Sequence, residues 1–393
     1  MIVVSVAERA KIPRSATVGM QNKAMEMKAA GINVISLAAG EPDFITPAHI
    51  REYAKRALDE GYTFYPPSSG LPELRKAIAE KLARENNIRV DPKTEIIVTV
   101  GAKQAIFSTV LAVLDPGDEA IIADPSWVTY DPCVKLAGAK AIPISVREED
   151  ALRLSPDAVS KAVTKKTKLI ILNSPNNPTG AVLRREDLEA MADIAEKKDL
   201  LVISDEIYEP LVYDGLRHYS IGALEEMRER TITVNGFSKA YAMTGWRLGY
   251  LAGPKEIVEH ILAVHEHSVT GPCSFAQKAS AEALNDPRSA EWVGKMRIEY
   301  QKRRDLMVEE LNKILGVSCV KPSGAFYAFP NIASFKRSST EISEYLLDKA
   351  HIATVPGSAF GEGGEGFLRL SFATSPENIK EALTRMRSAL AQL

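Results

Sequence analysis

Apolar residues recur along this chain in two rhythms, short unbroken runs and helically spaced sets, and between residues 95 and 252 the two alternate. EIIVTVG at 95–101 reads as a buried strand, KQAIFSTVLAVL at 103–114 as a helix, DPGDE at 115–119 as a turn and AIIADP at 120–125 as the next strand. Further apolar runs at 140–146, 169–172, 200–204, 231–235 and 248–252 continue the pattern, with helical segments between most of them. Short apolar strands alternating with helices predict an α/β fold with a mostly parallel sheet covered on both faces. Ligands of such sheets bind beyond the carboxyl ends of the strands.

The flanks read differently. Residues 17–30 carry apolar positions at helical spacing, 33–37 is a short strand, and AAGEPDF at 38–44 contains a turn at Gly40. A helix is predicted over 47–60, with Thr46 as N-cap and Pro47 at its first position, and another begins near Pro72. Beyond Gly253 come helices at 255–267, 275–284 and 289–315. After them 317–320, AFYAF, a helix at 340–350, a strand at 352–355, FLRLSFA and a last helix from Pro376 read as a smaller α+β unit.

At 393 residues the chain exceeds one ordinary core, and 45% hydrophobic with 25% charged residues is a soluble globular composition. A formal net charge of -2 gives no reason to expect nucleic acid or an acidic membrane as partner. Cys133, Cys273 and Cys319 are scattered, so neither a disulfide framework nor a metal site is implied, as suits a reducing cytoplasm. The apolar run at 2–7 is interrupted by Glu8, Arg9 and Lys11 too early for a signal peptide, and no stretch is long enough to span a bilayer.

Candidate chemistry gathers at the predicted strand ends. NGFSKAYAMTGWRLGY at 235–250 opens with Ser238 and Lys239 and closes on Arg247. A lysine becomes nucleophilic when burial or a nearby cation lowers its pKa. Gly101, Ala102 and Lys103 open a helix whose backbone N–H groups suit an anion. Asp205 follows a buried strand, where it either caps the next segment or needs a cationic partner. Trp127 is a strand-to-helix aromatic that core packing would also explain, and NSPNNPTG at 173–180 is a loop stiffened by prolines around Asn177. Arg369 alternates with apolar neighbours on a strand; facing inward it would need an anion, and facing outward it would be ordinary surface.

Taken in order, AAGEPDF, NSPNNPTG, SDEIYEPLVYDG at 204–215, the 235–250 stretch and FLRLSFA at 367–373 resemble the class I and II aminotransferases, pyridoxal-phosphate enzymes of fold type I. The resemblance covers nearly the whole chain and is closest to the bacterial and archaeal aspartate aminotransferase subgroup. It implies a large domain over 46–287 with a mostly parallel sheet covered by helices, and a small α+β domain from both chain ends, 1–45 and 288–393.

It further implies that Lys239 forms the Schiff base with pyridoxal 5'-phosphate and then serves as general base and acid. Asp205 would pair with the ring nitrogen, Tyr208 and Asn177 would bond the phenolic oxygen, and Trp127 would stack on the ring. Ala102, Lys103, Ser238 and Arg247 would hold the phosphate, although the family cup often has small or hydroxylated residues where Lys103 stands. Arg369, Asn177, Trp127 and the Gly40 N–H would bind the substrate. Tyr65, five residues before Gly70, would touch the neighbouring subunit's phosphate, which implies a homodimer.

The resemblance leaves substrate choice open. Related enzymes hold a distal carboxylate with an arginine shortly after the phosphate arginine, yet none occurs here between Arg247 and Arg288, so Lys103, Lys11 or Arg14 would have to serve. The expectation is aspartate with 2-oxoglutarate. An aromatic or broad-specificity aminotransferase is the alternative, and β-lyase chemistry runs on the same fold. A transcription-regulator module is disfavoured because little chain precedes the helix at 47–60 and no basic patch is present. GEGGEG at 361–366 matches GxGxxG but precedes a strand and carries two glutamates, so it reads as a flexible loop. His265, Glu266 and His267 resemble a metal cluster, but histidines two apart do not share a helix face, and the expectation is a turn.

Overall fold

The computed structural model describes residues 6–14 and 16–393; most of the N-terminal apolar run at 2–7 lies outside them. In chain order the elements begin with α1 (Ala16–Ala29), β1 (Ile35–Ser36), α2 (Ala48–Asp59), α3 (Pro72–Lys81), β2 (Ile96–Thr99), α4 (Gly101–Val113), β3 (Glu119–Asp124) and α5 (Tyr130–Leu136). Then come β4 (Lys140–Ser145), α6 (Pro156–Ala162), β5 (Thr167–Asn173), α7 (Arg185–Lys198), β6 (Leu201–Asp205), β7 (Thr231–Gly236) and β8 (Gly249–Ala252). The remainder comprises α8 (Lys255–Val269), α9 (Ser274–Asn285), α10 (Pro287–Leu311), β9 (Tyr327–Ala328), α11 (Ser339–Ala350), β10 (Ile352–Ala353), β11 (Val355–Pro356), β12 (Leu368–Ser371) and α12 (Pro376–Leu390).

Seven strands form one sheet in the order β2-β8-β7-β6-β5-β3-β4. The pairs β3–β4, β3–β5, β5–β6 and β6–β7 are parallel, while β8 runs antiparallel to both β7 and β2. The carboxyl ends of β2, β3, β5, β6 and β7 therefore lie on one rim, and β8 starts from that same rim. Along each strand alternate residues enter opposite cores, as a period of two requires. Ala120, Ile122, Leu169 and Ile171 pack with Ile106, Val110 and Ile261, whereas Ile121, Ile170 and Leu172 pack with Leu188, Met191 and Ala195. The predicted α/β fold with both faces covered is what forms.

The chain's two ends build smaller sheets. β1 pairs parallel with β10, and β11-β12-β9 is antiparallel. Their core joins Tyr300, Phe326, Tyr327, Leu346, Phe372, Leu383 and Met386 to Tyr208, Leu211 and Tyr213, which follow β6. Arg304 of α10 is fully buried and grips Asp214 through two nitrogens, at 2.8 and 2.7 Å, so the long helix is tied to the same segment.

Two local expectations are corrected. Thr46 does not cap α2, which has no side-chain cap. Its hydroxyl instead donates to Ala242 O at 2.6 Å and accepts from Trp246 Nε1 at 3.2 Å, so a tertiary contact with the Lys239–Arg247 stretch takes the group that local pattern assigns to the helix end. Residues 265–267 are not a turn but lie inside α8, where His265 is buried with Nδ1 against Gln104 Oε1 at 3.0 Å. Helix α8 packs on α4, and that burial overrides the polar triplet.

Candidate active site

The strand rim opens into a cleft of about 320 Å³. The ends of β2, β3, β5, β6 and β7 deliver side chains to it, and the delivery follows from local sequence.

After β2 the chain turns straight into α4 through Gly101, whose φ is 73°. The first N–H groups of that helix, at Ala102 and Lys103, have no partners within it. A Cβ at Gly101 would lie 2.6 Å from Arg247 Nη2, so glycine there lets the guanidinium close over the helix end. Arg247 donates from Nη1 to Thr244 O at 2.9 Å, and among the described residues no carboxylate pairs with it. Ser238 is buried at the same cleft. Backbone donors, a hydroxyl and an unpaired guanidinium together form a site for a dianion.

After β3 comes Trp127, with Lys103 Nζ 5.2 Å from its ring centroid. Burial lowers the Lys103 pKa, and the neighbouring Arg247 charge adds to the effect. After β5, Asn173 and Asn177 face the cleft; the Asn177 N–H donates to Asn173 Oδ1 at 2.9 Å, and Asn173 Nδ2 to Asp205 O at 3.0 Å. In the proline-stiffened loop the Ser174–Pro175 and Asn177–Pro178 peptides are cis.

Asp205 ends β6 almost fully buried. Tyr130 donates to its Oδ2 at 2.7 Å and the Ile207 N–H to its Oδ1 at 3.2 Å. Burial nonetheless pushes its carboxyl up to about 6. A cationic ring nitrogen placed in the cleft would relieve that cost. Tyr208 meets Tyr327 hydroxyl to hydroxyl at 2.9 Å. Glu206 points into a separate buried network with Ser204, Ser220, Asn86 and His218. Glu206, Glu209 and His218 come close enough to hold a metal ion, but the Lys81 ammonium is already bonded to Glu209 there.

Lys239 follows β7 and donates from Nζ to Gly40 O at 2.6 Å. Burial pulls its ammonium down to about 8; Glu41 opposes the shift, and Arg247 and Arg369 assist it. Arg369 on β12 is 2% exposed. Its Nη1 donates to Asn177 Oδ1 at 3.2 Å and its Nη2 to Ala38 O at 2.7 Å, while Nε is buried with no partner. The guanidinium lies over the rings of Tyr327, at 4.5 Å, and Phe360, at 5.0 Å, with no carboxylate against it among the described residues.

Apart from three candidates the cleft gathers the predicted site residues; Tyr65 is 91% exposed and does not line it. Lys11 and Arg14 do not line it either. Sequence reasoning missed Tyr130, Asn173 and Tyr327. Asn173 opens the NSPNNPTG run and Tyr130 lies three residues after Trp127, so both were within reach; Tyr327 reads as core in an aromatic strand.

Residues 32–386 match the family model for aminotransferase class I and II. The chain is 53% identical over 365 residues to an aspartate aminotransferase of Pyrococcus abyssi, covering 93% of this chain and 94% of that one. It is 50% identical over 359 residues to aromatic-amino-acid aminotransferase 2 of Thermococcus litoralis, covering 91% and 92%. The solved aspartate aminotransferase of Thermus thermophilus with maleate superposes with a TM-score of 0.94 at 45% identity, covering 98% of this chain and all, 100%, of the other. With a strand rim, cleft and sequence of this kind, the chain belongs to the class I and II aminotransferases.

Proposed function

We propose that this aminotransferase uses pyridoxal 5'-phosphate to move the amino group of an L-amino acid, aspartate foremost, to 2-oxoglutarate. The observation that carries the reading is the convergence of Lys239, Asp205 and the carboxylate-free Arg369 on one cleft. The residues present fit the cofactor. Unpaired N–H groups of α4 with Ser238 and Arg247 suit its phosphate, Asp205 its ring nitrogen, Trp127 its ring face, and Tyr208 with Asn177 its phenolic oxygen. When bound, it supplies a carbonyl carbon for the amino group and a ring that takes up electrons from the substrate's α-carbon.

The protein's own work is positioning and proton transfer. Arg369 and Asn177, with the Gly40 backbone beside them, hold the substrate α-carboxylate, which supplies the anion that the buried guanidinium lacks. Asp205, oriented by Tyr130 and the Ile207 N–H, keeps a proton on the facing ring nitrogen. Lys239, whose burial favours the neutral amine, takes the proton from the substrate α-carbon and returns it on the other side of the reaction.

For the distal carboxylate, Lys103 is the cleft cation left once Lys239, Arg247 and Arg369 have these roles. A relative named aspartate aminotransferase supports aspartate as the substrate. The aromatic relative at 50% identity supports a second reading in which Trp127 and the aliphatic stem of Lys103 receive a ring. Comparing kcat/KM for aspartate with that for phenylalanine and tyrosine decides between them: equal or better turnover of the aromatic substrates ends the aspartate reading. Pyruvate and ammonia released from a cysteine-type substrate without an oxo acid would instead point to lyase chemistry.

We read the chain as two domains, 46–287 and 1–45 with 288–393, and as a cytoplasmic homodimer in which exposed Tyr65 reaches the partner's phosphate site. Free Cys133, Cys273 and Cys319 suit a reducing compartment, and among the described residues no helix is long and apolar enough to cross a membrane.

A further inference from the structure

The glycine-rich run at 361–366 is not a loose loop; it closes on Asp124, the last residue of β3. The Gly363 N–H donates to Asp124 Oδ2 at 2.9 Å, and two residues further along the large sheet's rim the Ser126 N–H donates to Phe360 O at 2.9 Å. Gly361 has φ 130°, and a Cβ there would lie 2.0 Å from Asp124 Oδ1, so turn and carboxylate fit only while that position is glycine. Asp124 itself is 7% exposed, and its Oδ1 is buried with no hydrogen-bond partner. No cation pairs with it among the described residues, and burial raises its pKa, with Glu362 adding to the effect. A buried carboxylate held by so few donors costs stability. Its hydrogen bond joins the 361–364 turn to the end of β3.

On one side of the contact stands Phe360, whose ring is 5.0 Å from Arg369 Cζ and meets Phe329 edge-on at 6.4 Å. On the other, Asp124 leads through Pro125 and Ser126 to Trp127. A planar guanidinium binds a carboxylate with two parallel bonds only when its orientation is fixed. Tyr327 fixes one flank of Arg369 and Phe360 another.

We propose that Asp124 is a positioning residue for substrate binding: by clasping the 361–364 turn it seats Phe360 against Arg369 and ties that guanidinium to the strand end carrying Trp127. The inference rests on Arg369 receiving the substrate α-carboxylate.

The test is steady-state kinetics of the holoenzyme with Asp124→Ala, Asp124→Asn, Phe360→Leu, the Asp124→Ala/Phe360→Leu double variant and Arg369→Lys. Losing one hydrogen bond to a charged acceptor predicts that Asp124→Ala raises KM for both amino acid and oxo acid about tenfold, with kcat within about twofold. The visible absorption of the substrate-free holoenzyme stays unchanged. Asparagine keeps an acceptor for Gly363, so Asp124→Asn brings KM back to within about threefold of the parent. Because the two residues act along one path, the double variant is no worse than the more damaging single. A fallen Tm with unchanged KM in Asp124→Ala, or effects that multiply in the double variant, overturns the proposal. If Asp124→Ala does not fold, an unchanged KM in Phe360→Leu overturns it alone. Should Arg369→Lys leave KM unchanged, the carboxylate reading itself fails; should it raise KM while Asp124→Ala does not, only the positioning role fails.

Discussion

Replacing Arg369 with leucine separates what this arginine does for substrate from what it does for the fold. The side chain is 2% exposed, carries a charge that burial disfavours, and has no carboxylate to offset it among the described residues. Its protein bonds are two, to Asn177 Oδ1 at 3.2 Å and Ala38 O at 2.7 Å. Removing it forfeits those bonds, at about 1 kcal/mol each, but also removes an uncompensated buried charge, and such exchanges are often neutral or stabilising. The substrate-free holoenzyme carrying Arg369→Leu should therefore lie within about 1 kcal/mol of the parent in stability. Substrate binding loses two charge-assisted bonds worth about 1.5–3 kcal/mol each, so kcat/KM should fall by roughly 10² to 10⁴ for every amino acid tested. Arg369→Lys keeps charge without the fork and should lose about 10- to 100-fold. The assays are denaturant unfolding of the substrate-free holoenzyme and initial rates across several amino acids. Activity within tenfold of the parent in the leucine variant would mean Arg369 does not hold the substrate, and destabilisation beyond about 3 kcal/mol would mean it holds the fold.

Four further outcomes follow from the same geometry. Gly101→Ala places a Cβ 2.6 Å from Arg247 Nη2 at a φ of 73°, so the displaced guanidinium should weaken pyridoxal-phosphate affinity about tenfold or more by equilibrium titration, with substrate selectivity unchanged. Lys103→Ser should cut kcat/KM for aspartate by about 10- to 100-fold and leave phenylalanine within about twofold; equal losses for both would remove Lys103 from distal recognition. In the cofactor-free protein, folded Lys239 binds fewer protons than unfolded lysine between about 8 and the ordinary 10.5, so its contribution to stability rises with pH across that window and is least below it. Unfolding free energies of Lys239→Met should lack that rise. Asp205 works in the opposite sense: its folded carboxyl titrates near 6 rather than the ordinary 3.8, so its contribution in cofactor-free protein falls as pH rises between those values, and the fall should be absent in Asp205→Asn.

Much of this was legible in the sequence because the strand-end residues depend on local pattern. A short apolar run fixes where a strand stops, and in a parallel sheet the stops share one rim, which is why Ala102, Trp127, Asn177, Asp205 and Lys239 meet. Features set by tertiary contact were not legible. Thr46 reads as a cap until Ala242 and Trp246 take its hydroxyl. Arg369 lies on a strand whose residues are all buried, so alternation could not say which way it faced. Tyr327 looks like core because its ring joins the core, yet that ring also carries the Arg369 guanidinium and its hydroxyl pairs with Tyr208 at the cleft. The 361–366 run is polar and glycine-rich, which signals a loop but not its fit to Asp124, more than two hundred positions earlier in the chain.

The central claim is that Lys239 carries pyridoxal phosphate in a cleft that passes amino groups from aspartate to 2-oxoglutarate. Its most direct test is the visible spectrum of the loaded protein, recorded alone, after aspartate, and after subsequent 2-oxoglutarate, alongside Lys239→Ala. A visible band should bleach with aspartate and return with the oxo acid, and the variant should show no such cycle. A band that ignores aspartate but bleaches with phenylalanine would contradict the substrate assignment; no band with added cofactor, or an intact cycle in Lys239→Ala, would contradict the account itself.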